Sequence, residues 1–295
     1  MCRNYVKLCE FENAKIKNMK YKKWIIGIIT ASLLIALLVY KVIYVNPHNI
    51  VIREETIKSP KLNSKDDELI VAYFSDTHLA NYTTIDDLST SVKLINSVNP
   101  DVVLFGGDLI DEYRTKGISD DNRAAIIDNL SKINSRLGKY AILGEHDSSQ
   151  DEIKQILIDS GFEIIMGTNK QIYYDNESYF NLVGIDSSSL NISSSYEGIT
   201  SDIYTIVLTH KPDIFDSLDL NRTDLVLAGH SHGPQVYIPL INNFYREEGY
   251  DKYAHGKHYK NGVTLDITNG VGLTKNSTRF NSDAEVVFYK LQGNN

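Results

Sequence analysis

The sequence predicts an α/β fold of two packed, mixed β-sheets flanked by helices and preceded by one transmembrane helix. Three observations carry this reading. An uncharged apolar run near the N-terminus is long enough to cross a bilayer. Behind it, short apolar runs alternate with amphipathic stretches in the order β-α-β-α-β, which implies a parallel sheet with helices on its faces. The second half is richer in extended segments, enough to build a second sheet.

Residues 24–40 carry no charge, and after Lys41 the apolar character resumes through Val45. A membrane helix needs about 20 residues, which 24–45 supplies. A buried core helix and a cleaved signal peptide are the competing readings. The run has no polar face, no Ala-X-Ala-like site follows it, and no cysteine follows it. An uncleaved anchor is favoured. Lys15, Lys17, Lys20, Lys22 and Lys23 precede the run, so the N-terminus is expected in the cytoplasm and the body outside. The expected organisation is a basic cytoplasmic segment (1–23), an anchor (24–45), a polar stalk (46–68) containing Pro47 and Pro60, and one globular domain (69–292) of a single-pass cell-membrane protein.

Charge and cysteine usage narrow the classes. The net charge is -8, yet residues 1–45 hold eight basic side chains against two acidic ones, so the remainder carries -14. An acidic body without a basic aromatic platform is not expected to bind nucleic acid. Handling phosphate would require local positive charge, which metal ions can supply. Both cysteines, Cys2 and Cys9, precede the apolar run, so the body has neither disulfides nor thiolate chemistry.

In the domain, strands are expected over 69–75, 101–106 and 140–143, and helices over 85–98, 122–137 and 152–160. The later extended segments are 171–175, 179–185, 204–208, 225–228, 263–268 and 285–291. Ligands in open α/β sheets bind beyond the carboxyl ends of strands. Those ends read Ser75-Asp76-Thr77-His78, Gly106-Gly107-Asp108-Leu109-Ile110-Asp111, Gly144-Glu145-His146-Asp147, Thr209-His210-Lys211-Pro212 and Gly229-His230-Ser231-His232-Gly233. Five of the eight histidines fall there. Any one of these residues alone reads as a turn or a satisfied surface group; five at one sheet edge do not. Asp-X-His and His-X-His put two ligands on one side of an extended segment. Mixed oxygen and nitrogen donors suit manganese, iron or zinc, and one carboxylate can bridge two ions.

These five motifs, in this order, resemble the calcineurin-like metallophosphoesterase family, and especially its membrane-anchored bacterial members. The similarity runs from about Leu69 to Leu291 and includes Asn269-Gly270-Val271-Gly272 followed by Arg279-Phe280. The resemblance implies an αββα sandwich and two divalent metal ions, Mn, Fe or Zn. By it, Asp76, His78 and His232 would hold the first ion and Asp108 would bridge both. His210, His230 and Glu145 would hold the second. A hydroxide between the ions would attack phosphorus in line, His146 would protonate or stabilise the leaving oxygen, and Asp111 would orient His146. One position departs from the pattern: Glu145 stands where the family has asparagine. It would either ligate, with one positive charge fewer in the site, or turn away and leave the second position weak.

The expected function is hydrolysis of a phosphate ester (monoester, diester or pyrophosphate), with a phosphorylated or lipid-linked envelope substrate. The alternative is an envelope scaffold that kept the fold and was catalytically weakened by Glu145. Oligomeric state is not readable. Among other candidates, His255 and His258 read as part of a solvated loop, and the aromatic stretch 244–259 as an ordinary surface loop. Arg222 and Arg279 read as exposed ion-pair partners rather than phosphate ligands, and the Asn191 and Asn221 sequons need no glycan.

Overall fold

In the computed structural model the chain divides into two compact units, Met1–Val45 and Asn46–Asn295. All residues are described except 1, 63–67, 112–116, 148–150, 187–191, 239–248, 275 and 295, with residues 2–16 and 18 described as backbone only. Asn191 and the 244–248 part of the aromatic stretch therefore lie outside the described residues.

The first unit is helix α1 (Cys2–Tyr40), continued by a π turn, Lys41–Val45. The helical stretch Met19–His48 is long and apolar enough to cross a membrane, and its apolar window is unburied.

The second unit contains, in chain order, β1 (Ile50–Ser59), β2 (Leu69–Phe74), α2 (Ile85–Ser97), β3 (Val102–Phe105), α3 (Asp120–Ser131), β4 (Lys139–Ala141), α4 (Asp151–Asp159), β5 (Phe162–Ile164), β6 (Thr168–Tyr173), β7 (Tyr179–Gly184), β8 (Thr205–Thr209), β9 (Leu225–Ala228), β10 (Gly256–Lys260), β11 (Val263–Ile267) and β12 (Ala284–Gly293). One six-stranded sheet runs β1-β12-β2-β3-β4-β5 and the other β10-β11-β9-β8-β7-β6. Within them β2 to β5 are mutually parallel, as are β7, β8, β9 and β11, so their carboxyl ends share one edge in each sheet.

Strand periodicity assembles the layers. On β2, Ala72 and Phe74 face the helices and pack with Leu88, Val92 and Ile95 of α2. Val71 and Tyr73, on the other face, pack with Leu182, Ile206, Leu208 and Leu227 of the second sheet. A third apolar cluster, including Val183, Val207, Val226 and Phe215, covers the outer face of the second sheet. Strands buried on both faces read as continuous apolar runs, which is why they were legible. Helix α2 starts where Thr84 and Asp87 form a reciprocal capping box.

Three expectations change. The stalk over 46–68 is largely a strand: β1 lies parallel to β12, from Ile50 beside Ala284 to Ser59 beside Gly293. Its alternating burial is that of an edge strand with one face turned inward. The polar residue that disguised it, Arg53, is held by Asp266 at 2.9 Å and Glu285 at 3.0 Å, joining the two sheets. The expected loop at His255 and His258 contains β10, paired antiparallel to β11 through Asn261-Gly262, both at positive φ. The helix expected over 122–137 stops at Ser131, after which Asn134 N–H donates to Asn96 Oδ1 at 2.9 Å and the chain turns into β4.

Asp266 and Glu285 are 1% and 4% exposed, so removing Arg53 strands two buried carboxylates. Arg53→Ala is expected to destabilise the fold by about 3 kcal/mol, read as a lower denaturant midpoint. An unchanged midpoint would show that β1 is dispensable.

Candidate metal centre

The site forms where β2, β3, β4, β8 and β9 end. Main-chain bonds first tie these loops together. Asp76 N–H donates to Gly107 O at 2.9 Å, and His78 N–H donates to Asp108 O at 3.1 Å. Leu79 N–H donates to Leu109 O at 3.0 Å. Asp76, His78, Asp108, His230 and His232 all have positive φ, between 40° and 69°. Such backbone costs about 1–3 kcal/mol per residue and persists only where the surroundings impose it. A Cβ on Gly144 would collide with Asp108 Oδ1, and one on Gly229 with Asp76 Oδ2, so both loops need glycine to approach the carboxylates.

Asp108 lies at the centre. Its Oδ2 is 3.2 Å from His210 Nε2 and 3.5 Å from His78 Nε2. Its Oδ1 accepts from His146 N–H at 3.0 Å. On one side Glu145 reaches His210 Nε2 at 2.9 Å and His230 Nδ1 at 2.8 Å. On the other, His232 Nε2 lies 3.0 Å from His78 Nε2 and 3.7 Å from Asp76 Oδ1. Three groups thus have metal-ligand spacing: Asp108-Glu145-His210-His230, Asp76-His78-His232 and His78-Asp108-His146. The first two contain all seven residues expected as ligands. Glu145 does not turn away.

The donors suit divalent cations. Asp76 Oδ2, Glu145 Oε2, His210 Nε2 and His232 Nδ1 are buried with no hydrogen-bond partner. An unsatisfied buried polar group costs about 1–3 kcal/mol, more if charged. A cation among them gives several of these atoms a partner at once. His210 Nδ1 lies 2.8 Å from the Gly106 carbonyl, which fixes Nε2 toward Asp108. Burial opposes ionisation of Glu145, but the His210 and His230 rings against it hold it far below the usual carboxylate range. Burial alone would neutralise His210, whereas the Asp108 charge pushes it well above its ordinary value. His232, buried and beside His78, is pushed well below its ordinary value, which favours the neutral ring.

His146 stands at the rim, its side chain 37% exposed, with Nε2 4.0 Å from Asp108 Oδ2. Asp111 Oδ1 lies 3.6 Å from His146 Nδ1 and 3.7 Å from His78 Nδ1, so it stands beside both rings. Burial raises Asp111, but the neighbouring His78 ring and a hydrogen bond from Asn81 bring it down to about 2, leaving a carboxylate at neutral pH.

Asp147 has no part in the expected ligand set. It is fully buried and accepts from the N–H groups of Asp108 at 2.6 Å, Leu109 at 3.0 Å and Gly144 at 3.2 Å, locking the third loop under the second. Only its place beside Glu145 and His146 signalled it. Arg279 is not an exposed ion-pair partner: it is fully buried and donates to the carbonyls of Asn269, Gly270, Gly272 and Ser282. The loop it holds packs on Asp76, whose Cβ leaves no room for a side chain at Gly270. Arg222 pairs with Asp219 at 2.8 Å and lies over the Tyr196 ring, as an ion-pair partner would.

The sequence model of the calcineurin-like phosphoesterase family matches residues 69–234, which hold all five motifs. An uncharacterised metallophosphoesterase of Bacillus subtilis, YkuE, is 28% identical over 85% of this chain and 89% of its own. Phosphodiesterase YaeI of Escherichia coli is 24% identical over 75% of this chain and 81% of its own. A Danio rerio protein named a transmembrane protein with metallophosphoesterase domain is 28% identical over 60% of this chain and 43% of its own. With the family matched over more than half the chain and its candidate metal-ligating residues gathered where strands of both sheets end, the protein belongs to the calcineurin-like phosphoesterases and is a metal-dependent hydrolase of phosphoester bonds.

Proposed function

We propose that the site holds two divalent ions, Mn, Fe or Zn, and hydrolyses a phosphate ester presented at the membrane. The carrying observation is that Asp108 joins the two flanking ligand groups, with oxygens turned to both. Asp76, His78 and His232 would hold one ion, Glu145, His210 and His230 the other, and Asp108 would serve both. When bound, the ions supply Lewis acidity that activates water and neutralises phosphoryl oxygens. His146, held through Nδ1 by the Asp111 carboxylate, presents Nε2 to the leaving oxygen and donates its proton there.

Residues 24–45 form the anchor, 1–23 the cytoplasmic segment and 69–292, completed by the edge strand β1, the catalytic domain, which lies on the outer face. The lysines before the span and the transmembrane relative support this arrangement. Residues 46–49 alone separate the apolar segment from β1, which favours a lipid-linked or envelope ester over a freely diffusing one. Protease added to intact cells is expected to remove the domain; protection of the domain would reverse the orientation.

Metal analysis of the detergent-solubilised chain is expected to give two ions. One tightly held ion per chain would sink the dinuclear reading. With manganese, the chain is expected to hydrolyse an aryl phosphodiester or an aryl phosphate, and His146→Ala to lower kcat about 100-fold. No hydrolysis of either, with His146→Ala indistinguishable from wild type, would favour the scaffold.

Glu145→Asn replaces a carboxylate by a neutral carbonyl. It is expected to loosen the second ion and, with metal in excess, to lower the Ki of inorganic phosphate, because the site regains one positive charge. An unchanged metal affinity would show that Glu145 is not a ligand.

A further inference from the structure

The wall beside His230 carries a feature that the ligand set does not use. Lys211 directly follows His210, and its ammonium has no hydrogen-bond or ion-pair partner among the described residues. Its stem is held against Gly249. A Cβ built on Gly249 would lie 2.7 Å from Lys211 Cδ, 3.0 Å from Lys211 Cγ and 3.1 Å from His230 Nε2. The lysine stem and the outer nitrogen of His230 therefore meet in one small space with no room for a side chain at 249, and Gly249, at φ 101°, lets the chain close on both.

That space is built by a pinned strap. Gly249 O accepts from Asp213 N–H at 2.9 Å. The Asp213 carboxylate accepts from the N–H groups of Lys252 at 3.1 Å and Tyr253 at 2.9 Å. Between these ties Tyr250 stands edge-on to the His230 ring at 5.4 Å and is itself 8% exposed. The strap, the His230 ring and the Lys211 stem thus form one wall of the centre.

Charge makes this wall informative. Glu145 sits on the same side, against His230 Nδ1, with 37% of its side chain exposed. It adds negative potential where a phosphate ester must bring more. Among the described residues, Arg279 is engaged by four carbonyls, and Arg53 by Asp266, Glu285 and Glu55. The Lys211 stem lies on this wall, and its ammonium, without a partner among the described residues, offsets Glu145 and gives a second anion a partner.

We propose that Lys211 is a specificity-determining residue that selects esters carrying a second anionic group, phosphate or carboxylate, on the His230 side of the scissile phosphate. This rests on the reading that the scissile phosphate binds at the Asp108-centred site. Lys211 contacts the far anion and orients the ester; it takes no part in bond cleavage.

The test is a binding measurement that needs no turnover. The full chain in detergent, loaded with manganese and freed of excess metal, is titrated calorimetrically with methylphosphonate and with 3-phosphonopropionate, which adds a carboxylate. Wild type is expected to bind the second probe about tenfold more tightly, the scale of one charge-assisted contact. Lys211→Ala is expected to lose that preference and Lys211→Arg to keep it, with metal content equal in all three. Equal affinities in wild type would overturn the proposal, as would a preference that survives in Lys211→Ala. If Lys211→Ala weakened both probes alike at equal metal content, the lysine would be a general phosphate ligand and the proposal would also fall. If no ester is hydrolysed yet the preference disappears in Lys211→Ala, the hydrolytic reading falls and this one stands.

Discussion

The carboxylate of Asp108 is the constraint on which the site depends. Its backbone N–H is taken by Asp147, its carbonyl by His78 N–H, and its Oδ1 by His146 N–H. These bonds tie together the second, first and third loops, and Oδ2 is left facing His210 and His78. One residue thus fixes the relative positions of four loops before any ligand arrives. A buried carboxylate is costly without compensation, so it persists here because imidazoles and backbone donors surround it. The unpartnered atoms around it are the remainder of that compensation, and a cation of the right size completes it.

The strain this demands comes from the fold. Five ligand residues with left-handed backbone, at about 1–3 kcal/mol each, need a rigid support. The support is the double sandwich, whose parallel strands are fully buried on both faces just before each loop. Parallel strands also send consecutive loops to the same edge, which antiparallel hairpins do not. Glycines at 144 and 229 then remove the only side chains that would hold the loops away from the carboxylates.

The legible parts of the sequence were those in which one residue type had one physical explanation. The buried strands β2, β3, β8 and β9 were continuous apolar runs, and the ligands were polar residues placed directly behind them. What was not legible depended on distant partners. β1 looked like a stalk because Arg53 and its neighbouring glutamates are polar, and only Asp266 and Glu285, more than 200 residues away, make Arg53 an inward residue. Arg279 looked exposed for the same reason, since its partners are main-chain carbonyls that carry no signal in the sequence. β10 was different: Asn261-Gly262 is a hairpin signal between extended segments, and the weight given to His255 and Gly256 concealed it.

The domain's charge poses the remaining question of how it admits an anion at all. Beyond residue 45 the chain carries -14, a field that repels phosphate at long range. Exposed charges are screened beyond about 8–10 Å at physiological salt, so a local arrangement can override that field. In the proposed assignment, three carboxylates, Asp76, Asp108 and Glu145, would leave two divalent ions with a small net positive charge, smaller than an asparagine at 145 would leave. The ions alone therefore attract phosphate less strongly here than the family's usual ligand set would. Discrimination shifts toward whatever else the wall offers, and beside Glu145 the wall offers the ammonium of Lys211. The proposed tether to the bilayer would act in the same direction, because a high local concentration of a membrane-bound ester reduces the attraction each site must supply.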